Sequence, residues 1–185
     1  MIRRVVQHPT PAIASAILAA LITSGCTTAT AGTPNTTTSS TTPTSDTTKD
    51  PLARVDPCSL LDQAVITANH LQPDTSGIGP GTRYCRWDTG ASGVGYSLAI
   101  NIYDQAGLDQ LSTAGFTVTN YPIGSHQGRT SKDTVGHTCL VSIGVTSTSR
   151  VDVVGVDYGG QLDRACVVAT TVAPAVEQKL PGGGS

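Results

Sequence analysis

Five cysteines are the residues best equipped for covalent chemistry in this 185-residue chain: Cys26, Cys58, Cys85, Cys139 and Cys166. A thiol can be acylated, oxidised to a disulfide or bound to zinc. Cys26 stands apart, directly after Gly25. The other four form an even set, which in an oxidising compartment reads as two disulfides. Zinc is disfavoured, because no two cysteines stand at a C-x2–4-C spacing and no histidine pair completes a ligand set. His126 and His137, with Asp133 between them, could supply a base with an orienting carboxylate, or two metal ligands. The plainer reading, two solvated loop histidines, is favoured. Residues 124–128 (Gly-Ser-His-Gln-Gly) put serine one place too early for a nucleophile elbow and a histidine in the nucleophile's position. Glu177 is the one glutamate in the chain, and Asp152 and Asp157, five apart on one strand, face opposite ways. No carboxylate pair for acid–base work is visible. Arg83 and Trp87, four apart and flanking Arg86, could stack or form a recognition patch; Trp87 as the single large core aromatic is the simpler reading.

The elements that hold these residues begin with residues 1–25. Arg3 and Arg4 precede an uncharged Ala/Leu/Ile-rich run over residues 12–23, and small residues lead into Cys26. This is the order of a secretory signal peptide. Twelve helical residues rise roughly 18 Å, short of a hydrocarbon core of about 30 Å, so the run is not a membrane span. Gly25-Cys26 resembles the end of a bacterial lipobox, whose cysteine takes lipid (palmitate among the acyl chains) and becomes the new N-terminus. Thr23 stands where a lipobox usually has Leu or another aliphatic residue. Loss of residues 1–25 removes two arginines and no acid, moving the formal charge from −2 to −4. That balance excludes the electrostatic footprint of a nucleic-acid binder, and with no polybasic patch membrane attachment rests on Cys26.

Residues 26–51 carry the lipidated cysteine and a tether. Between positions 27 and 48, 12 of 22 residues are Thr, with almost no large apolar side chain to repay the entropy of ordering. A tract of this composition also suits O-glycans. Residues 52–181 form one domain, and 182–185 a flexible end. Asp56 suits an N-cap and Pro57 a first helical position, with Leu61, Ala64, Val65, Ala68 and Leu71 on one helical face and Pro73 as the stop. Residues 77–81 read as a loop. It is not a phosphate loop, because no strand precedes it, no helix opens from it and Pro80 removes an N–H donor. Strands are expected over 84–88, 94–103, 116–121, 139–145 and 151–158, with 123–133 either strand or loop. Residues 105–114 read as a short helix. The last helix starts near Asp163 and places Ala165, Val168, Ala169, Val172, Val176 and Leu180 on one face, with Pro174 expected to kink or split it. The sum is an α+β domain: an antiparallel sheet of about five strands, helices packed on one face, and two disulfides. On this outline Cys58–Cys85 with Cys139–Cys166 is favoured, since the 139–158 hairpin returns Cys166 to Cys139. Cys58–Cys166 with Cys85–Cys139 stays open.

These landmarks carry a resemblance. Asp56-Pro57-Cys58-Ser59-Leu60-Leu61 after a low-complexity tether, Cys85-Arg86-Trp87, the strand opened by Cys139, and Cys166 early in a last helix that closes on Leu180-Pro181 resemble the actinobacterial exported proteins of domain-of-unknown-function family 3558, many of them candidate lipoproteins. Pro174 departs from the uninterrupted last helix of that family. The resemblance implies a location and a fold and transfers no catalytic residue, cofactor or metal. The expectation is a non-enzymatic lipoprotein, anchored by Cys26 on the extracytoplasmic face of the cell membrane, whose domain binds an envelope protein or an apolar or cell-wall ligand. The alternatives are an accessory subunit of an envelope complex, or a hydrolase working through His126 or His137.

Overall fold

A computed structural model describes residues 50–90 and 95–184. Cys26, the export segment and nearly all of the Thr-rich tether lie outside the described residues, as do residues 91–94, which include Val94.

The domain is mostly β. Seven strands, β1 (Gln72–Gly79), β2 (Thr82–Asp88), β3 (Tyr96–Tyr103), β4 (Thr117–Asn120), β5 (Gly128–Asp133), β6 (Thr138–Thr146) and β7 (Ser149–Asp157), accompany helices α1 (Gln63–Ala68) and α2 (Leu162–Glu177). The strands form one antiparallel sheet in the order β1-β2-β3-β7-β6-β5-β4. The expected count of about five is therefore too low. β1 occupies the segment read as a loop, for a physical reason: it is an edge strand, with residues 72–76 exposed and no alternation to betray it. An edge tolerates Pro73 and glycines because one side of its backbone needs no partner, and the register shifts between Pro73 and Ser76. β5 resolves the strand-or-loop ambiguity in favour of strand.

One face of the sheet is apolar. Leu98, Ile100 and Ile102 of β3, Val141 and Ile143 of β6, and Val151 and Val153 of β7 are each fully buried. They point the same way because side chains alternate along a strand and antiparallel register aligns them across it. Leu98 pairs with Gly155 and Ile100 with Val153, for example. α2 covers this face with Val168, Ala169, Val172, Ala173 and Val176.

Three helical expectations change. The 56–71 helix breaks into a 3₁₀ turn (Pro57–Leu60) and the short α1. Asp56 does cap it, accepting from the Cys58 N–H at 3.0 Å. But Leu61 turns extended at φ −103°, ψ 127°, which lets Leu60 and Leu61 both enter the core, a placement that the 100° step of a regular helix resists. Residues 105–114 hold one 3₁₀ turn, Leu108–Gln110. α2 runs unbroken through Pro174. Pro174 lies three residues from the helix end, so its missing N–H removes a single bond there. Leu180 lies beyond the helix yet is buried, reached through a turn in which its N–H donates to the Glu177 carbonyl at 3.0 Å.

The disulfides are Cys58–Cys85, joining the 3₁₀ turn to β2, and Cys139–Cys166, joining β6 to α2. Beside the second, α2 meets the sheet with no room to spare: a Cβ on Gly155 would lie 2.3 Å from the Ala165 carbonyl oxygen. Gly155→Ala should therefore lower stability by about 1–3 kcal/mol, measured by urea unfolding. Both disulfides have a sequence separation of 27, so chain entropy assigns each about 3–4 kcal/mol. Unfolding of the two paired Cys→Ala variants should show similar losses, and a large inequality would point to native-state strain or relief at one site.

Candidate functional site

The predicted histidine–aspartate constellation does not assemble. His126 precedes β5 and Asp133 ends it, with the length of the strand, about 17 Å, between them. Asp133 instead accepts from the Val135 N–H at 2.9 Å within the β5–β6 turn. His137 sits in that same turn with a left-handed φ of 49°, and its carbonyl accepts from the Asp157 N–H. His70 likewise takes a left-handed φ of 53° as the chain leaves α1.

Arg83 and Trp87 do share a strand face, without stacking. Trp87 is buried in the core, whereas Arg83 forks onto Asp104, with Nε 3.0 Å from one carboxylate oxygen and Nη2 2.7 Å from the other. Arg83 also donates to the carbonyls of Leu52 and Val55, stapling the start of the domain to β2 and β3. The Arg83 guanidinium is held above its usual range, first by the hydrogen bond to Asp104. The cation–π contact is elsewhere: Arg150 lies 4.0 Å from the Tyr103 ring centroid.

His126 finds a partner that the sequence pattern does not offer, the one glutamate. Its Nδ1 is 2.8 Å from Glu177 Oε1 and its Nε2 is 3.1 Å from the Pro181 carbonyl. The Ser125 N–H donates to the same Glu177 oxygen at 3.1 Å, and the one proton of the Ser125 hydroxyl is shared between that oxygen, at 3.2 Å, and the nearer Gly182 carbonyl. Gly124, at φ 54°, lets the turn press so close that a Cβ there would lie 2.3 Å from the Glu177 carboxylate. Burial pushes the Glu177 carboxyl up, but the hydrogen bonds from His126 and then Ser125 outweigh it and hold the group below its ordinary range. Serine, histidine and glutamate thus meet, but His126 Nε2 faces a main-chain carbonyl rather than the serine. One signal could have flagged Glu177: it is a lone carboxylate beside Val172, Ala173 and Val176 at the end of an apolar helical stripe.

Asp152 and Asp157 occupy opposite faces. Asp157 accepts from Arg164 and from the Gln161 N–H at the start of α2; burial opposes its charge, and these bonds still hold its carboxyl below the usual range. Asp152 is buried on the face that α2 leaves open, 3.1 Å from Arg150 Nε. Burial pushes its carboxyl up, against the pull of Arg150 and Ser142.

That second face is crossed at one end by the β3–β4 connection, where Arg150 donates to the Ala106 and Gly107 carbonyls and Arg129 to that of Leu108. Beyond the crossing, Arg86, Ala99, Val154, Leu140, Ser131 and Val118 form one cross-strand row. Ala99, Val154 and Leu140 are half-buried there, and the buried Ser131 Oγ has no hydrogen-bond partner among the described residues. Arg86 closes one end in a network with Asp74, Asp88 and Tyr158. The described depressions are about 300–450 Å³, open, and lined by a mixture of polar and apolar groups. Among the described residues, no cluster of three or more His, Cys, Asp or Glu could hold a metal, and no helix is long and apolar enough to cross a membrane.

The site and fold define a disulfide-bonded, single-sheet α+β domain with one covered and one open face. A family model, "Protein of unknown function (DUF3558)", matches residues 21–179, and the chain belongs to that family. No curated protein and no solved structure matches it.

The depressed carboxyls of Glu177 and Asp157 set an acid limit. A group whose folded pKa is lowered contributes stability in full above its unfolded pKa and loses it as pH falls through the folded value. Stability should therefore decline in the acid range below about pH 5, and this limb should flatten in Glu177→Gln and Asp157→Asn. At neutral pH, Glu177→Gln should cost about 1–3 kcal/mol. Urea unfolding across pH checks both outcomes.

Proposed function

We propose that this protein is an exported lipoprotein, anchored through Cys26 to the outer side of the cell membrane, whose disulfide-bonded domain is a non-enzymatic binding module for an envelope protein. The observation that carries the reading is the pair of disulfides behind a basic-then-apolar start that ends in Gly25-Cys26. Disulfides persist in oxidising compartments, and the N-terminal order is that of an exported chain.

The open sheet face is the surface assigned to the partner. Its row of half-buried Ala99, Val154 and Leu140, flanked by the Arg86 network and the Arg129–Asp109 pair, has the apolar centre and polar rim of a protein interface. None of the described depressions is an enclosed cavity, which favours a protein over an apolar ligand. Engagement of both His126 nitrogens favours a structural role for that residue over a hydrolase's base.

Two measurements test this. Cys26→Ala should abolish labelling by a palmitate analogue and release the protein from the membrane fraction; labelling that persists would refute the anchor. A photo-crosslinker at Leu140 should yield a discrete protein adduct that Val154→Asp abolishes. The same crosslinker at Val167, 63 % exposed on α2 away from this face, should yield none. Equal adducts at both positions would sink the interface.

A further inference from the structure

We propose that His126 is a proton-operated latch that clasps the segment 179–184 when the imidazole is protonated and lets it loosen when the ring becomes neutral. The argument is one of donors and acceptors. Nδ1 faces a carboxylate oxygen and Nε2 faces a main-chain carbonyl, at 2.8 and 3.1 Å. The Glu177 carboxyl is held low and is ionised, so neither acceptor can donate, both ring nitrogens carry protons, and the ring in this clasp is an imidazolium. The side chains of His126 and Glu177 are 8 % and 3 % exposed, so their pair is shielded from water, whereas Pro181 is exposed and its carbonyl can turn to solvent once its donor is lost.

A neutral ring carries one proton. It keeps the better acceptor, the Glu177 carboxylate, and leaves the Pro181 carbonyl facing a lone pair. The segment then depends on its other holds: Ser125 Oγ on Gly182, the Gly184 N–H on the Glu177 carboxylate, Leu180 in the core, and Lys179, which donates to the Ser59 carbonyl and to Asp62. The charged groups around the ring are Glu177 from α2, and Arg129 from β5 with Asp109 from the 3₁₀ turn, which share its shallow depression and pair with each other at 3.2 Å. Of these, Glu177 touches the imidazole. Its carboxyl is held low by the same contacts. Lys179 ties the segment to the start of the domain, so opening would loosen a contact between the two ends of the fold.

The test is nitrogen-detected NMR of the His126 ring with amide hydrogen exchange of the full-length protein across pH. Below the ring's titration both nitrogens should carry protons. The Leu180 and Gly183 amides, bonded to the Glu177 and Leu180 carbonyls, should be protected. As the ring deprotonates, their protection, corrected for intrinsic base-catalysed exchange, should fall about tenfold or more. In His126→Gln, which keeps one donor without charge, protection should be low and free of that step. Lys179→Ala should lower protection while preserving the step. An unprotonated ring nitrogen while the amides remain protected would overturn the proposal, as would an identical step in His126→Gln. The wild-type ring measurement decides the matter even if a variant fails to fold.

Discussion

The seating of α2 on β6 and β7 is the constraint from which the rest of the domain follows. Gly155 offers no side chain, so the Ala165 carbonyl can rest against the sheet, and Cys139–Cys166 fastens the helix at that point. From there an unbroken helix carries Val168, Val172 and Val176 over the apolar strands at a rise of 1.5 Å per residue. It delivers Glu177 about 16 Å beyond Cys166, where the turn at residues 124–126 meets it. A shift of the helix along its axis would move the carboxylate away from Ser125 and His126 while leaving the apolar contacts interchangeable, because hydrophobic burial is non-directional and hydrogen bonds are not.

The two faces of the sheet solve different problems. The covered face contains aliphatic side chains and excludes water. The open face buries polar groups in its middle: Asp152 and Arg150 pair with each other and Arg150 reaches the crossing backbone at Ala106 and Gly107, whereas the Ser142 and Ser131 hydroxyls have no partner among the described residues. Buried charges survive when they are paired and hydrogen-bonded. That pairing leaves Ala99, Val154 and Leu140 as the apolar ground nearest to solvent, which is why the open face, rather than a cavity, carries the binding proposal.

Legibility followed physical visibility. β3, β6 and β7 alternate because one face is core and the other is not, and their pattern is plain in residues 96–103, 139–145 and 151–157. β1 is an edge exposed on both sides and leaves no such trace. The 56–71 segment shows helical spacing, but the demands of Cys58, Leu60 and Leu61 on the core override it. Pro174 signals a break, yet the cost so near a helix end is one hydrogen bond. His126 stood out by residue type, but the carboxylate that engages it lies 51 positions away, whereas Asp133, close in sequence, is drawn off by its own turn.

By itself the sequence determined the local and compositional facts: a basic-then-apolar start before Gly25-Cys26, a Thr-rich tract, an even set of four domain cysteines and the aliphatic alternation of the central strands. Those depend on neighbours a few residues apart, where periodicity and composition act directly. The tertiary structure alone decided the seven-strand order, the partners of Cys58 and Cys139, the open face and the meeting of Ser125, His126 and Glu177. The disulfides, the β3–β7 pairing that joins the two halves of the sheet and the meeting of Ser125 and His126 with Glu177 each join residues more than twenty positions apart, and such contacts are chosen by three-dimensional packing and donor–acceptor geometry, which no spacing along the chain encodes.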